Sequence, residues 1–143
     1  MRSLLQFLAL PLVLVLGSCS CLADLVVANL SNQPLTIRYV LSHEAGGARV
    51  IPVDKVGKDG NAWRDLEGYT ATIAAGDTVE RVLPPGLALH VLGIDCTGRE
   101  IQSATGLQSL LLTGTHGSLT YDSLTAISAV TKRRSNVLIL EYK

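Results

Sequence analysis

Leu35-Thr36-Ile37-Arg38-Tyr39-Val40-Leu41 is the stretch on which the fold turns. Leu35, Ile37, Tyr39 and Leu41 alternate with Thr36, Arg38 and Val40. Successive side chains of an extended chain point to opposite faces, so this alternation predicts a half-buried β-strand. Ser31-Asn32-Gln33-Pro34 precedes it and has the residue types of a turn. Before that turn, Leu25-Val26-Val27-Ala28-Asn29 reads as a first strand.

Downstream the same grammar continues. His43–Gly47 is an expected loop, Arg49–Val53 a short strand, and Asp59-Gly60 marks a turn within the polar Lys55–Asn61. Trp63–Tyr69 could form a single helical turn. Tyr69–Ile73 and Thr78–Leu83 flank Ala75-Gly76-Asp77 and are expected to form a hairpin, ended by Pro84-Pro85-Gly86. Leu87–Ile94 is apolar enough for a central strand. Thr97-Gly98 turns into Glu100-Ile101-Gln102, Leu107–Thr113 is another strand, Gly114–Gly117 a turn, and Val137–Tyr142 the last strand. Between Tyr121 and Thr131 two patterns compete. Leu124, Ile127 and Val130 are three apart, with Asp122 placed to cap and Lys132-Arg133-Arg134 suited to a helix C-terminus. Ser and Thr are frequent there and good helix formers few, so a strand is expected, with one helix near 121–134 as the alternative. Short strands with turns every ten residues or so predict an all-β fold. The expectation is an antiparallel, immunoglobulin-like sandwich of about eight strands, or else a small β-barrel.

The chain has 143 residues and is 48% apolar, enough for one domain with a real core. Twelve basic residues balance 12 acidic ones, so the clustered cations of a nucleic-acid binder are missing. Aromatic residues are only 4%, which disfavours stacking platforms for sugars or bases.

The N-terminus has a different character. Arg2 is the only charge before Asp24, and Phe7–Leu16 is an apolar run interrupted by Pro11. A basic start, a short apolar run and small residues predict a secretory signal, too short for a comfortable membrane span. Leu16-Gly17-Ser18-Cys19 resembles the bacterial lipobox, a Leu two small residues before a Cys. The resemblance implies removal of residues 1–18, a lipid on Cys19, and a single β-sandwich domain over 19–143. Two or three acyl chains would hold it firmly to a membrane. Ser20 after Cys19 implies, by the same resemblance, the periplasmic face of the outer membrane. Cys21 after Ser20 is a second register, and cleavage after Ala23 (a 1–23 signal) is the main rival, giving a soluble product.

That choice decides the cysteine chemistry. If Cys19 is lipidated, Cys21 and Cys96 remain, and an oxidising periplasm permits a disulfide between them. If cleavage follows Ala23, Cys96 is alone, the small buried hydrophobe a strand cysteine usually is. No Cys-x-x-Cys is present.

The search for chemistry yields little. His43, His90 and His116 lie in no His-x-His or His-Glu-x-x-His pattern, so no metal site is expected. His90 reads as a strand residue facing solvent, opposite in direction to Leu89 and Val91. There is no Gly-x-Ser-x-Gly and no phosphate-binding glycine pattern. Asp65 and Glu67, with Arg64 and Trp63 beside them, look like a solvated loop rather than paired catalytic carboxylates. Asn29-Leu30-Ser31 fits the glycosylation sequon, which matters only in a eukaryotic secreted protein. Lys132-Arg133-Arg134 reads as a solvated hairpin, with contact to an anionic surface near the anchor as the sharper alternative. No catalytic residue and no cofactor is therefore named. By subtraction, the expected role is a non-enzymatic cell-envelope lipoprotein that binds a protein partner or supports an assembly, through an edge strand or end loops. The alternative is a secreted, unanchored ligand-binding domain with a groove near Trp63 and Tyr69, and the third an enzyme with an unrecognised site.

Overall fold

The structure is a computed structural model, and it describes residues 21–96 and 106–143. The signal segment, Cys19, the Thr97-Gly98 turn and the Glu100–Gln102 strand lie outside the described residues. Among the described residues ten strands form two sheets that do not close into a barrel, so the fold is an all-β sandwich. The strands are β1 (Cys21–Asn29), β2 (Leu35–Leu41), β3 (Arg49–Pro52), β4 (Arg64–Asp65), β5 (Thr78–Leu83), β6 (Leu87–Cys96), β7 (Leu107–Gly114), β8 (Gly117–Tyr121), β9 (Lys132–Arg134) and β10 (Val137–Tyr142). One sheet has six strands in the order β4-β3-β6-β1-β10-β9, the other four in the order β5-β2-β7-β8.

Among the described residues every strand pairing is antiparallel except one. β1 and β10 run parallel, with Asp24 opposite Val137 and Asn29 opposite Tyr142. The first and last strands thus join in the middle of the larger sheet, a contact more than a hundred residues long in sequence that local alternation does not report.

The alternation of β2 holds. Leu35, Ile37, Tyr39 and Leu41 are buried, while Arg38 is exposed. With Leu110 and Leu112 of the neighbouring β7, they meet Leu25, Val27, Leu89, Leu92, Leu138 and Leu140 of the facing sheet in the main core between the sheets. β1 is buried on both faces. Its Val26 and Ala28 point outward, yet they pack with Ile51, Val56, Ala88, Val137 and Ile139 in a second cluster. The segment from Val53 to Trp63 covers that cluster, contributing Val53, Ala62 and Trp63. It contains two short 3-10 turns, the second capped by Asp59, whose carboxylate accepts from the Asn61 N–H at 3.0 Å.

Three expectations need correction. Tyr69–Ile73 does not form a hairpin with β5. Ile73 bridges Ala45 and β5 pairs with β2, because the buried residues Val79 and Leu83 belong on the face that β2 presents to the core. The Trp63–Tyr69 stretch forms no helical turn. It contributes β4, paired with Arg49 and Val50. The stretch expected as a strand at Tyr121–Thr131 contains a helix, α1 (Leu124–Ser128), as the alternative reading had it. Its cap is Ser123 rather than Asp122, accepting from the Ala126 N–H at 3.2 Å, and Ile127 is buried in the core. The expected turn at Gly114–Gly117 is present, and β8 follows it at once, pairing with β7 from Gly114↔Gly117 to Leu110↔Tyr121.

Candidate functional site

Three places gather polar groups or unpaired backbone. The first lies where β1 and β6 slip register. Leu25 opposes Leu92 but Val26 opposes His90, so Val91 is the extra residue of a β-bulge. A bulge re-aims the side chains beside it. Leu92 and Val91 both enter the core, and His90 is left on the outer face. There its Nε2 lies 3.0 Å from Asp24 Oδ1, with both side chains partly solvated. A carboxylate only accepts, so Nε2 carries the proton. The Trp63 ring meets the His90 ring edge-on, with centroids 5.7 Å apart, and the Arg49 guanidinium lies 5.8 Å from the Trp63 centroid. This chain of contacts crosses three strands and fixes the imidazole. On either side lie two shallow clefts. One, about 230 Å³, includes His43, Glu44, Arg49 and His90. The other, about 250 Å³, includes Asp24, Lys58, Asp59, Trp63 and Asn136. Among the described residues no three of His, Cys, Asp and Glu come together as a metal site would require.

The solvent-facing position read for His90 is where the strand places it, although the Asp24 partner was not legible. His43 and His116 are both exposed, one lining the first cleft and the other in the turn before β8. Asp65, in β4, and Glu67, in the turn after it, are both exposed. Trp63 packs on the outer-face cluster, whereas Tyr69 packs against the inter-sheet core with the Arg81 guanidinium 4.3 Å over its ring. The two aromatics expected to share one groove therefore lie against different clusters.

Asn29 of the sequon is fully buried. Its Nδ2 donates to the carbonyls of Gln33 and Leu83, and its Oδ1 accepts from the Ser31 N–H and hydroxyl. Every polar atom of the amide is engaged, so the residue ties the end of β1 to the end of β5 and has no atom available for a glycan.

The cysteines form the second place. Cys21 and Cys96 are opposite one another in the β1–β6 ladder. Directly opposed Cα atoms in an antiparallel pair are about 4.5 or 5.5 Å apart, and a disulfide spans about 4.4–6.8 Å. The backbone register thus meets the first requirement of a bridge between them.

The third place is the edges. An edge strand presents unpaired N–H and C=O groups, and proteins guard it with brevity, charge or proline. β4 is two residues long. β9 is Lys132-Arg133-Arg134, all exposed. β5 turns Arg81 toward the core side, with its Nε buried and unpartnered, and runs into Pro84-Pro85. That guanidinium lies close to Tyr39, whose phenol is pushed above its usual pKa by burial and pulled back in part by the Arg81 charge. β8 has none of these guards. Gly117-Ser118-Leu119-Thr120-Tyr121 carries no charge, and Leu119 is 45% exposed. Beside it a cleft of about 250 Å³ lies between the β8 strand and the end of β10, lined by His116, Leu119, Glu141, Tyr142 and Lys143. No known family model, curated protein or solved structure matches the chain.

Proposed function

We propose that the chain is a non-enzymatic cell-envelope lipoprotein, anchored through Cys19, that works as a protein-binding or assembly module. The observation that carries this reading is the unguarded β8 edge, a ready template for strand addition in a fold whose other described edges are blunted. The anchor draws support from β1. Cleavage after Ala23 would remove the first three residues of β1, take buried Ala23 from the core and strip Ile94, Asp95 and Cys96 of their partners. Processing at Cys19 leaves β1 whole, with the lipid two residues from the sheet and the periplasmic face of the outer membrane as its place.

The test combines two measurements. Cys19→Ala should leave an unprocessed precursor that a palmitate analogue no longer labels. Extraction of the wild-type protein in mild detergent should bring down an envelope component or a second copy, and Leu119→Lys should release it. Normal processing of Cys19→Ala, or capture indifferent to Leu119→Lys, overturns the corresponding half. A second reading, a secreted ligand-binding domain, rests on the cleft beside Trp63 with Asp24, Lys58 and Asn136. As the only tryptophan, Trp63 would report a ligand there by a change in fluorescence.

A further inference from the structure

The geometry points to a second copy of this chain as the occupant of the β8 edge, paired antiparallel, β8 to β8, about a two-fold axis through Leu119. The inference rests on the reading of that edge as a docking surface and names the partner.

β8 is self-complementary in this register. Its faces follow from β7: Leu110 and Leu112 are buried in the core, so the residues opposite them, Tyr121 and Leu119, point to the core side together with Gly117. Ser118 and Thr120 point outward, and the Ser118 hydroxyl donates to Thr113 Oγ1 at 3.2 Å on that face. A two-fold axis perpendicular to the sheet keeps the faces matched. It sets Leu119 against Leu119 of the second copy, Ser118 against Thr120, and Gly117 against Tyr121. An apolar pair, a hydroxyl pair and an aromatic ring over an edge glycine are all favourable cross-strand neighbours. No charge opposes a like charge, because the strand has none.

The receiving side is also shaped for it. The Tyr121 ring of the second copy would lie over Gly117, at the cleft lined by Leu119, Tyr142 and Lys143. The floor of that cleft is fixed, since Tyr142 Oη donates to the Gly117 carbonyl at 3.2 Å. β9 offers no such pairing, because self-pairing of Lys132-Arg133-Arg134 sets cation against cation. Five residues make a short seam, so the expected dimer is weak in dilute solution. Two copies confined to one membrane would meet at a far higher effective concentration.

The experiment uses the full processed chain in mild detergent. Sedimentation equilibrium should show a monomer–dimer equilibrium, and Leu119→Lys, at an exposed site, should weaken it by about tenfold or more while leaving the circular dichroism spectrum unchanged. Register is read separately by oxidative cross-linking of introduced cysteines, with Cys21 and Cys96 replaced by serine. Leu119→Cys should cross-link to itself. A mixture of Ser118→Cys and Thr120→Cys chains should cross-link more than either alone. A monomer at every concentration, a dimer indifferent to Leu119→Lys, or cross-linking without that pattern overturns the β8 pairing. A monomeric protein that still captures a different envelope protein through β8 overturns self-pairing and leaves the docking edge standing. Capture of nothing through β8 overturns both.

Discussion

Ile37 and Arg38 are neighbours on a central strand, and truncating each to alanine should cost very different amounts. Ile37 is fully buried between Arg81 on β5 and Leu112 on β7. Ile37→Ala removes three buried carbons, worth about 2.4 kcal/mol by transfer at about 0.8 kcal/mol per carbon. The cavity left behind adds to this, because β2 is held on both sides and cannot collapse into the space, so the loss should be about 3–4 kcal/mol. In a domain of this size that lowers Tm by roughly 10 °C. Arg38 points outward, more than half exposed, and its guanidinium donates to Glu80 Oε2 from Nε at 3.0 Å and from Nη2 at 2.6 Å. Solvent screens that pair, so Arg38→Ala should cost at most about 1 kcal/mol.

Urea unfolding followed by Trp63 fluorescence and by far-ultraviolet circular dichroism is the assay. Trp63 sits on the outer-face cluster, whereas circular dichroism reports the backbone of both sheets, so the two probes separate loss of the outer cluster from loss of the whole fold. Coincident transitions, both shifted by Ile37→Ala, are expected if β1, which belongs to both clusters, couples them. Equal losses for the two variants would show that the faces of β2 are assigned wrongly. Non-coincident transitions would show that the outer cluster unfolds by itself.

Other consequences are as direct. Non-reducing mass mapping of periplasmic protein should join Cys21 to Cys96, and the bridge, closing a loop of about 75 residues, should add up to about 4.5 kcal/mol by loop-closure entropy; two freely alkylated thiols rule it out. Gly114→Ala should destabilise by about 1–3 kcal/mol, because the new methyl group would overlap the Tyr142 ring, and unchanged urea unfolding would contradict that packing. Burial raises the Tyr39 pKa, so the neutral phenol stabilises the fold fully below about pH 10, and that contribution is lost as pH rises from there through the folded value. Tyr39→Phe should therefore flatten the alkaline loss of stability, and an unaltered profile between about pH 9 and pH 12 would refute the burial argument. His43→Ala, His90→Ala and His116→Ala should each leave the cellular role intact; loss of function in a folded variant would make a site around that histidine the working hypothesis.

What the sequence made legible follows from how each element is buried. β2 and β10 were readable because local patterns of apolar residues report their buried faces. β9 has no buried residue and β8 only a half-buried Tyr121, so neither leaves an apolar rhythm to read. α1 is one turn that spends Ile127 on the core, too short for an apolar spacing of three to outweigh the low helix propensity of its Ser and Thr residues. The Tyr69–Ile73 segment was misread because its two core-directed residues, half-buried Tyr69 and buried Ile73, suggest a strand. In fact they meet the core as irregular backbone held by the Ala48 N–H to Tyr69 carbonyl bond and the Ala45–Ile73 bridge. At the site, His90 could be placed on the outer face from its neighbours. Its partner Asp24, 66 residues away, depends on a bulge that exists only once β1 and β6 have paired.

The same accounting of faces says why the proposed docking edge belongs to the smaller sheet. An exposed sheet face needs polar residues, and an apolar one needs a cover. The larger sheet has the apolar kind. Val26, Ala28, Ala88, Val137 and Ile139 would lie bare if Val53–Trp63 did not fold across them, and the Arg134 Nη1 donation to the Val56 carbonyl at 3.4 Å ties that cover to β9. The apolar part of its outer face is thus covered, Asp24, His90 and Arg49 beside it are polar, and its edges end in a two-residue strand and a row of cations. The smaller sheet instead turns Thr36, Arg38, Glu80, Ser109 and Thr113 outward, residues that water satisfies without a cover. Its outer face also carries Val40, Val82 and Leu111, of which Val82 is exposed and the other two are half-buried. What remains is a seam rather than a surface: the β8 backbone, with Leu119 beside it on the core-facing side where the larger sheet no longer reaches to bury it. Recognition through such a seam depends on main-chain hydrogen bonds and one or two side-chain pockets. A conservative change at Leu119, such as Leu119→Met, should therefore preserve association, and a charge there should remove it.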